Sequence, residues 1–304
     1  MRTYLLLAIS FLTVATLAPA QHVTLPLWPN GAPEPFHTKG PERDTTKASD
    51  DLIAGRRVAR ITNVSNPTLT IYSPDTSNNS GAAVLVFPGG SYQVLALDLE
   101  GTEVCHWLNS IGMTCVLVKY RVPVDGHYPQ RVEDLEDAQQ AMRLTRSHAV
   151  AWHIDPHRIG VLGFSAGAHL AAILCNHPGY KRAGAPANTP LSNINARPDF
   201  ALIIYPAYLA EEPGLTQLSP GSAPTANNPP TFLVQAEDDP VHEENALLYF
   251  QALKQAKVPA ELHIFTQGGH GYGLRRTQLP ITNWPAYAEV WFHTLRVLST
   301  PPTP

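Results

Sequence analysis

Three cysteines in 304 residues exclude a disulfide framework, because the number is odd and a chain this long can bury a core without covalent staples. Charge is scarce and nearly balanced, with 25 acidic against 21 basic residues. That removes the electrostatic case for nucleic acid or an anionic membrane surface as a partner. Metal motifs are missing too. His242 and Glu243 lack the second histidine of a helical zinc site, and Asp155-Pro156 breaks the helix that the spacing of His153 and His157 would need. The glycines at 89 and 90 lack the third glycine of a dinucleotide fingerprint, and no phosphate loop occurs elsewhere. No cofactor is implied. No internal repeat or shift of composition divides the chain, and long apolar runs are absent with one exception.

That exception lies at the start. Arg2 precedes the apolar residues 4–17, and Ala18-Pro19-Ala20 offers a small-residue cleavage site before Gln21. This is the pattern of a secretory signal peptide over residues 1–20, and the run is shorter than the ~20 apolar residues of a membrane span. The mature chain, starting near Gln21, is therefore expected to be secreted or periplasmic and free of the membrane. Cys105 and Cys115 would pair if a helix and the next strand brought them together. The preferred reading is that they and Cys175 are small buried hydrophobes.

What is present is a large apolar fraction, 44%, with only 15% charged residues, enough for a sizeable core. Residues 21–56 are polar, rich in proline and glycine, and without a clear period, so they read as an irregular arm. The remainder, 57–304, reads as one domain. Residues 58–62 and 68–72 look like two antiparallel strands joined by a turn at Asn66-Pro67. Continuous apolar runs at 82–87, 114–119, 158–162, 200–205, 231–235 and 260–265 have the form of strands buried on both faces. Helical patterns over 99–110, 132–150, 167–175, 243–256 and 284–298 lie between them. The second carries Leu135, Ala138, Met142 and Thr145 on one side. Alternation of this kind predicts an α/β fold, a mostly parallel, doubly wound sheet of about eight strands with helices on both faces. One long insertion, residues 207–230, falls where it would wall a site.

The stretch IGVLGFSAGAHLAAIL, residues 159–174, holds the chemistry. Gly163-Phe164-Ser165-Ala166-Gly167 sits between a strand pattern and a helix pattern, the context in which a tight strand-to-helix turn exposes a serine hydroxyl above the sheet. Such a hydroxyl needs a base, and the base an orienting carboxylate, both later in the chain. His270, between Gly269 and Gly271, follows the last strand run and is the candidate base. His263 lies within that strand and reads as a sheet histidine. The candidate acids Glu237, Asp238 and Asp239 follow the run at 231–235. Asp239, fixed before Pro240, is preferred and Asp238 is the alternative. Glu243 and Glu244 belong to the next helix. Acyl transfer also needs donors to the developing oxyanion. Ala166 supplies one N–H, and the loop 88–92 supplies another from Gly90 or Ser91, unless that loop is an ordinary glycine-rich turn. Tyr92, Tyr208 and Tyr272 fall near the expected mouth, either to stack on a substrate ring or to pack in the wall.

Several segments resemble one family in order: LPLWPNGAPE at 25–34, FPGGSYQVLALDLEG at 87–101, VKYRVP at 118–123, residues 137–171 around the serine, PPTFLVQAEDDPVHEEN and GGHGYG. Together they resemble the α/β-hydrolase superfamily and, within it, secreted bacterial carbohydrate esterases of the acetyl xylan esterase and feruloyl esterase type. The resemblance implies Ser165 as nucleophile, Asp239 as orienting acid, His270 as base, and Gly90 and Ala166 as oxyanion donors. Ser91 departs from it, standing where the family often has a third glycine, and so does Ala168, where glycine is common. The implied partner is a small-molecule or polysaccharide ester, with acetyl groups on xylan foremost and feruloyl or other short acyl esters as the alternative. A peptidase or amidase fits less well, since no added propeller domain is present.

Overall fold

The computed structural model describes residues 22–34, 36–184 and 191–299. The expected signal peptide, residues 1–20, lies outside them. Eight strands form the main sheet: β1 (Val23–Pro26), β2 (Thr68–Tyr72), β3 (Ala83–Phe87), β4 (Thr114–Lys119), β5 (Ile159–Phe164), β6 (Ala201–Ile204), β7 (Thr231–Ala236) and β8 (Ala260–Phe265). Their spatial order is β1-β2-β4-β3-β5-β6-β7-β8. The pairs β1–β2 and β2–β4 are antiparallel, and every other pair is parallel. The chain leaves β3 to one side for β4 and returns to its other side for β5. In an open parallel sheet the crevice beyond the strand ends at such a switch is where ligands bind.

Among the described residues five α-helices cover the sheet: α1 (Glu103–Ser110), α2 (Glu133–Ser147), α3 (Ala166–Asn176), α4 (Glu244–Gln255) and α5 (Trp284–Thr294). Leu135 of α2, Leu170 of α3 and Leu253 of α4 share one core, and Leu108 of α1 and Phe292 of α5 share the core on the opposite face. Because both faces are covered, every residue of β3, β5, β6 and β7 is buried, which explains their unbroken apolar runs. The side of α2 predicted from its spacing is buried at Leu135, Ala138, Met142 and Thr145. Among the described residues, no helix is long and apolar enough to cross a membrane.

Four expectations are corrected. The run at 260–265, expected to be buried on both faces, is the half-buried edge strand β8, with Ile264 41% exposed, because among the described residues nothing pairs with its outer side. Residues 58–62 and 68–72 do not form a hairpin. Asn63 takes a positive φ of 58° and turns the chain out of the main sheet. Arg60–Thr62 pairs instead with Arg43–Asp44 and Leu95–Ala96 in a small separate sheet, while β2 is taken up by β1 and the apolar β4. The arm 21–56 is not wholly irregular either, since it contributes β1 as an edge strand. It is held by Trp28 Nε1, which donates to Asp137 Oδ1 at 2.7 Å, and by Gln140 Nε2, which donates to the Leu27 carbonyl at 3.1 Å. Finally, Cys105 of α1 and Cys115 of β4 are disulfide-bonded, and only Cys175 is a free buried thiol among the described residues. The helix and the strand after it do bring the first two together, joining the sheet to a helix that covers it.

Candidate active site

β5 ends at Phe164 and the chain reverses at Ser165, whose backbone has φ 53° and ψ −120° before α3 begins. This conformation is strained for a residue with a Cβ. The flanking glycines make it possible: a Cβ on Gly163 would strike the Gly167 carbonyl, and one on Gly167 would strike the Phe87 carbonyl. Ser165 is 8% exposed and stands at the N-cap position of α3 without a side-chain capping bond, where the helix dipole favours negative charge.

His270 reaches this hydroxyl from the loop after β8, with Nε2 2.8 Å from Ser165 Oγ. Its Nδ1 lies 2.8 Å from Asp239 Oδ2 and 3.0 Å from Oδ1. A buried carboxylate only accepts, so Nδ1 carries the proton and Nε2 is left to accept from the serine. Asp239, 3% exposed, is itself oriented by the Val241 N–H at 2.7 Å. Asp238 faces elsewhere. Its Oδ1 accepts the N–H groups of Gly268 and Gly269 at 2.9 and 2.7 Å, which anchors the base of the histidine loop. Of the two acids open to choice, Asp239 is the one brought to the imidazole. His263 is paired with Glu261 at 2.7 Å, far from this chemistry in role.

The loop after β3 approaches from the other side. Gly90, Ser91 and Tyr92 have consecutive positive φ values of 134°, 55° and 58°, so the backbone curls tightly after β3. A Cβ on Gly90 would collide with the Val94 carbonyl. Among the described residues, no hydrogen bond within the chain engages the Gly90 or Ala166 N–H, and both remain free to serve a ligand. Ser91 takes the left-handed conformation in spite of its Cβ, and its side chain points to solvent.

Burial separates the three tyrosines. Tyr92 and Tyr272 are 2% and 5% exposed and stand in the wall rather than on a free face. The Tyr92 hydroxyl lies 2.7 Å from His169 Nδ1, one turn along α3 from the serine. Burial holds the His169 imidazole well below its ordinary pKa, so this ring is neutral. Tyr208 is half-buried and stacks on Tyr92 and His127, with ring centroids 5.9 and 4.9 Å apart. It alone of the three keeps a partly open ring.

Two residues escaped the sequence reading. Glu100 lies in a π-helical turn, Asp98–Thr102, that leads into α1, and its Oε2 accepts the Gly89 N–H at 2.6 Å beneath the glycine loop. Tyr205, just beyond β6, donates to Glu100 Oε1 at 2.9 Å and packs edge-on against the His270 ring, centroids 5.1 Å apart. In the sequence Glu100 stands between Asp98 and Glu103, a pattern of spaced acids that commonly marks a solvated face.

The arrangement suits nucleophilic attack on a carbonyl, with a base, an orienting carboxylate and amide donors already in place. A family model described as BD-FAE matches residues 69–183. An acetylxylan esterase of Xylanibacter ruminicola is 29% identical over 220 residues, which is 64% of this chain and 42% of that protein. An ethyl acetate hydrolase of Pseudomonas putida is 27% identical over 226 residues, 66% of this chain and 70% of that protein. The solved structure of an acetyl ester-xyloside bifunctional hydrolase from Caldicellulosiruptor lactoaceticus is similar with a TM-score of 0.70 and 32% identity, covering 91% of this chain and 97% of that one. The chain spans less than half the length of the Xylanibacter protein and 32% of an endo-1,4-beta-xylanase B of Butyrivibrio fibrisolvens that it also resembles.

Proposed function

The chain belongs to the α/β-hydrolase superfamily, among its carbohydrate esterases, and on that premise we propose that it is a serine carboxylesterase removing short acyl groups, acetyl foremost, from xylan or xylo-oligosaccharides. One observation carries the reading: Ser165 Oγ, His270 and Asp239 in continuous hydrogen-bond contact, each link at 2.8 Å. The names of the relatives supply the ester class. The Cys105–Cys115 bond supports export through the signal peptide, since disulfides persist in oxidising compartments.

His270 Nε2 takes the proton from Ser165 as Oγ attacks the ester carbonyl carbon. The negative oxygen of the tetrahedral intermediate rests on the Gly90 and Ala166 amides, each worth ~2.7–4 kcal/mol to the transition state. The imidazolium, held by Asp239, passes its proton to the sugar oxygen as the carbon–oxygen bond breaks. Water, deprotonated by His270 in turn, attacks the acyl-enzyme. The acid leaves and the serine regains its proton.

The test is acetate release from acetylated xylan by the mature chain beside Ser165→Ala. Acetate from the wild type, with kcat reduced on the order of 10⁴-fold or more in the variant, is the expected result. Undiminished release by Ser165→Ala would remove the nucleophile assignment. Hydrolysis of nitrophenyl acetate without acetate from xylan would keep the serine and move the substrate, with feruloylated sugars next.

A further inference from the structure

The buried chain that begins at Glu100 does not end in the mechanism just described. Both carboxylate oxygens accept: Oε2 from the Gly89 N–H at 2.6 Å and Oε1 from the Tyr205 hydroxyl at 2.9 Å. The Tyr205 oxygen in turn accepts the Gly273 N–H at 3.2 Å. Gly89 precedes the Gly90 amide, and Gly273 lies three residues beyond His270. Three segments distant in sequence are thus joined in one line across the top of the sheet.

We propose that Glu100 and Tyr205 form a strut between the glycine loop and the histidine loop, and are positioning residues for the acyl transfer. The proposal rests on that reading of Ser165 and His270. Glu100 is 4% exposed, and among the described residues no Lys or Arg pairs with it. Asp98, close by, is occupied by Arg275 at 3.1 Å. Burying a carboxylate without a countercharge is unfavourable, and an apolar side chain would fill the space without that penalty. What only an acceptor provides is a partner for the Gly89 N–H, which fixes the Pro88–Gly89 peptide, one step before the peptide that carries the Gly90 N–H. The site is close to the nucleophile: a Cβ on Gly89 would lie 2.9 Å from Glu100 Oε2 and 2.8 Å from the Ser165 Cβ.

Tyr205 carries the line to the base. Its backbone has a positive φ of 38°, held by its N–H on the Val234 carbonyl at 2.8 Å. Backbone strain of this kind persists only where the surroundings over-determine it. The phenol ring meets the His270 ring edge-on, and Leu99, beside Glu100, packs directly where a Cβ on Gly273 would lie. Donor loop and base are therefore set at a mutual distance by one buried line of direct hydrogen bonds.

Kinetics of Glu100→Gln, Tyr205→Phe and the double variant on nitrophenyl acetate test this, together with inhibition by phenylboronic acid, whose tetrahedral serine adduct mimics the oxyanion intermediate. A glutamine accepts from Gly89 but cannot also accept the phenol proton, and phenylalanine removes one hydroxyl. Each single variant should lose about tenfold in kcat, with KM moved by no more than about twofold, because misplacement of positioned groups falls on the transition state. Phenylboronate affinity should fall by the same factor, and the double variant should be no worse than the poorer single, as expected of one continuous line. Unchanged kcat and boronate affinity in Tyr205→Phe would overturn the proposal even if Glu100→Gln failed to fold. Losses confined to KM, or multiplying in the double variant, would overturn it as well. If Ser165→Ala is inactive while both variants retain full kcat, the strut fails and the esterase reading stands. If Ser165→Ala is fully active, the esterase reading fails first.

Discussion

At the scale of single residues, two adjacent aspartates show how far a side-chain list carries. Asp238 and Asp239 share a turn after β7, and nothing in their order says which faces the imidazole. The backbone decides it: one carboxylate turns inward to His270 and the other outward to the Gly268 and Gly269 amides. Asp239→Asn should lower kcat by about 10⁴-fold, because an amide favours the wrong imidazole tautomer. Asp238→Asn retains an acceptor for the two glycine amides and should stay within about tenfold of wild type, since only a positioning contact is altered. Steady-state hydrolysis of nitrophenyl acetate by the two variants compares them directly. Ser165 and His270 were legible because glycines bracket each of them. Glu100 was not, because its function comes from burial under a loop eleven residues earlier.

At the scale of elements, the buried strands were readable where both faces are covered, as in 114–119, which coincides with β4, and the half-buried edge strand β8 was readable from its length and apolar residues alone. The edge was not. β1 is four mostly exposed residues with too little apolar character to announce a strand, and its removal from view left β2 to be paired with the wrong neighbour. The turn at Ser165 depends on close approach between β5 and α3. Gly163→Ala would drive a Cβ into the Gly167 carbonyl and should cost about 3 kcal/mol or more, the upper range for overpacking, measured as a lower urea midpoint. The Cys105–Cys115 bond closes a loop with a sequence separation of 10. Replacing both cysteines with alanine should lower stability by about 2–3 kcal/mol, and reduction of the wild type should lower its midpoint by a similar amount.

At the scale of the whole molecule, stability should depend on pH through a buried group outside the Ser165–His270–Asp239 line, beside Tyr92. Burial pushes Asp134, at the start of α2, from the ordinary 3.8 up to about 7. Its proton is held more tightly folded than unfolded, so the group carries no penalty below pH 3.8 and destabilises the fold progressively as pH rises to about 7. The interval corresponds to roughly 4 kcal/mol. Asp134→Asn should therefore stabilise the protein more at pH 8 than at pH 4, as read by denaturant midpoints at the two values, and a pH-independent difference would refute this origin. The amino-acid sequence by itself determined the class of fold, the serine at the strand-to-helix turn and the glycine-framed histidine, because hydrophobic periodicity and tight turns are local properties. Only the tertiary structure decided which aspartate meets the imidazole, that Cys105 and Cys115 join, that β1 completes the sheet edge, and that Glu100 and Tyr205 link the two loops. Each of these depends on how segments far apart in the chain pack together, through strand pairing for β1 and through side-chain direction for the others.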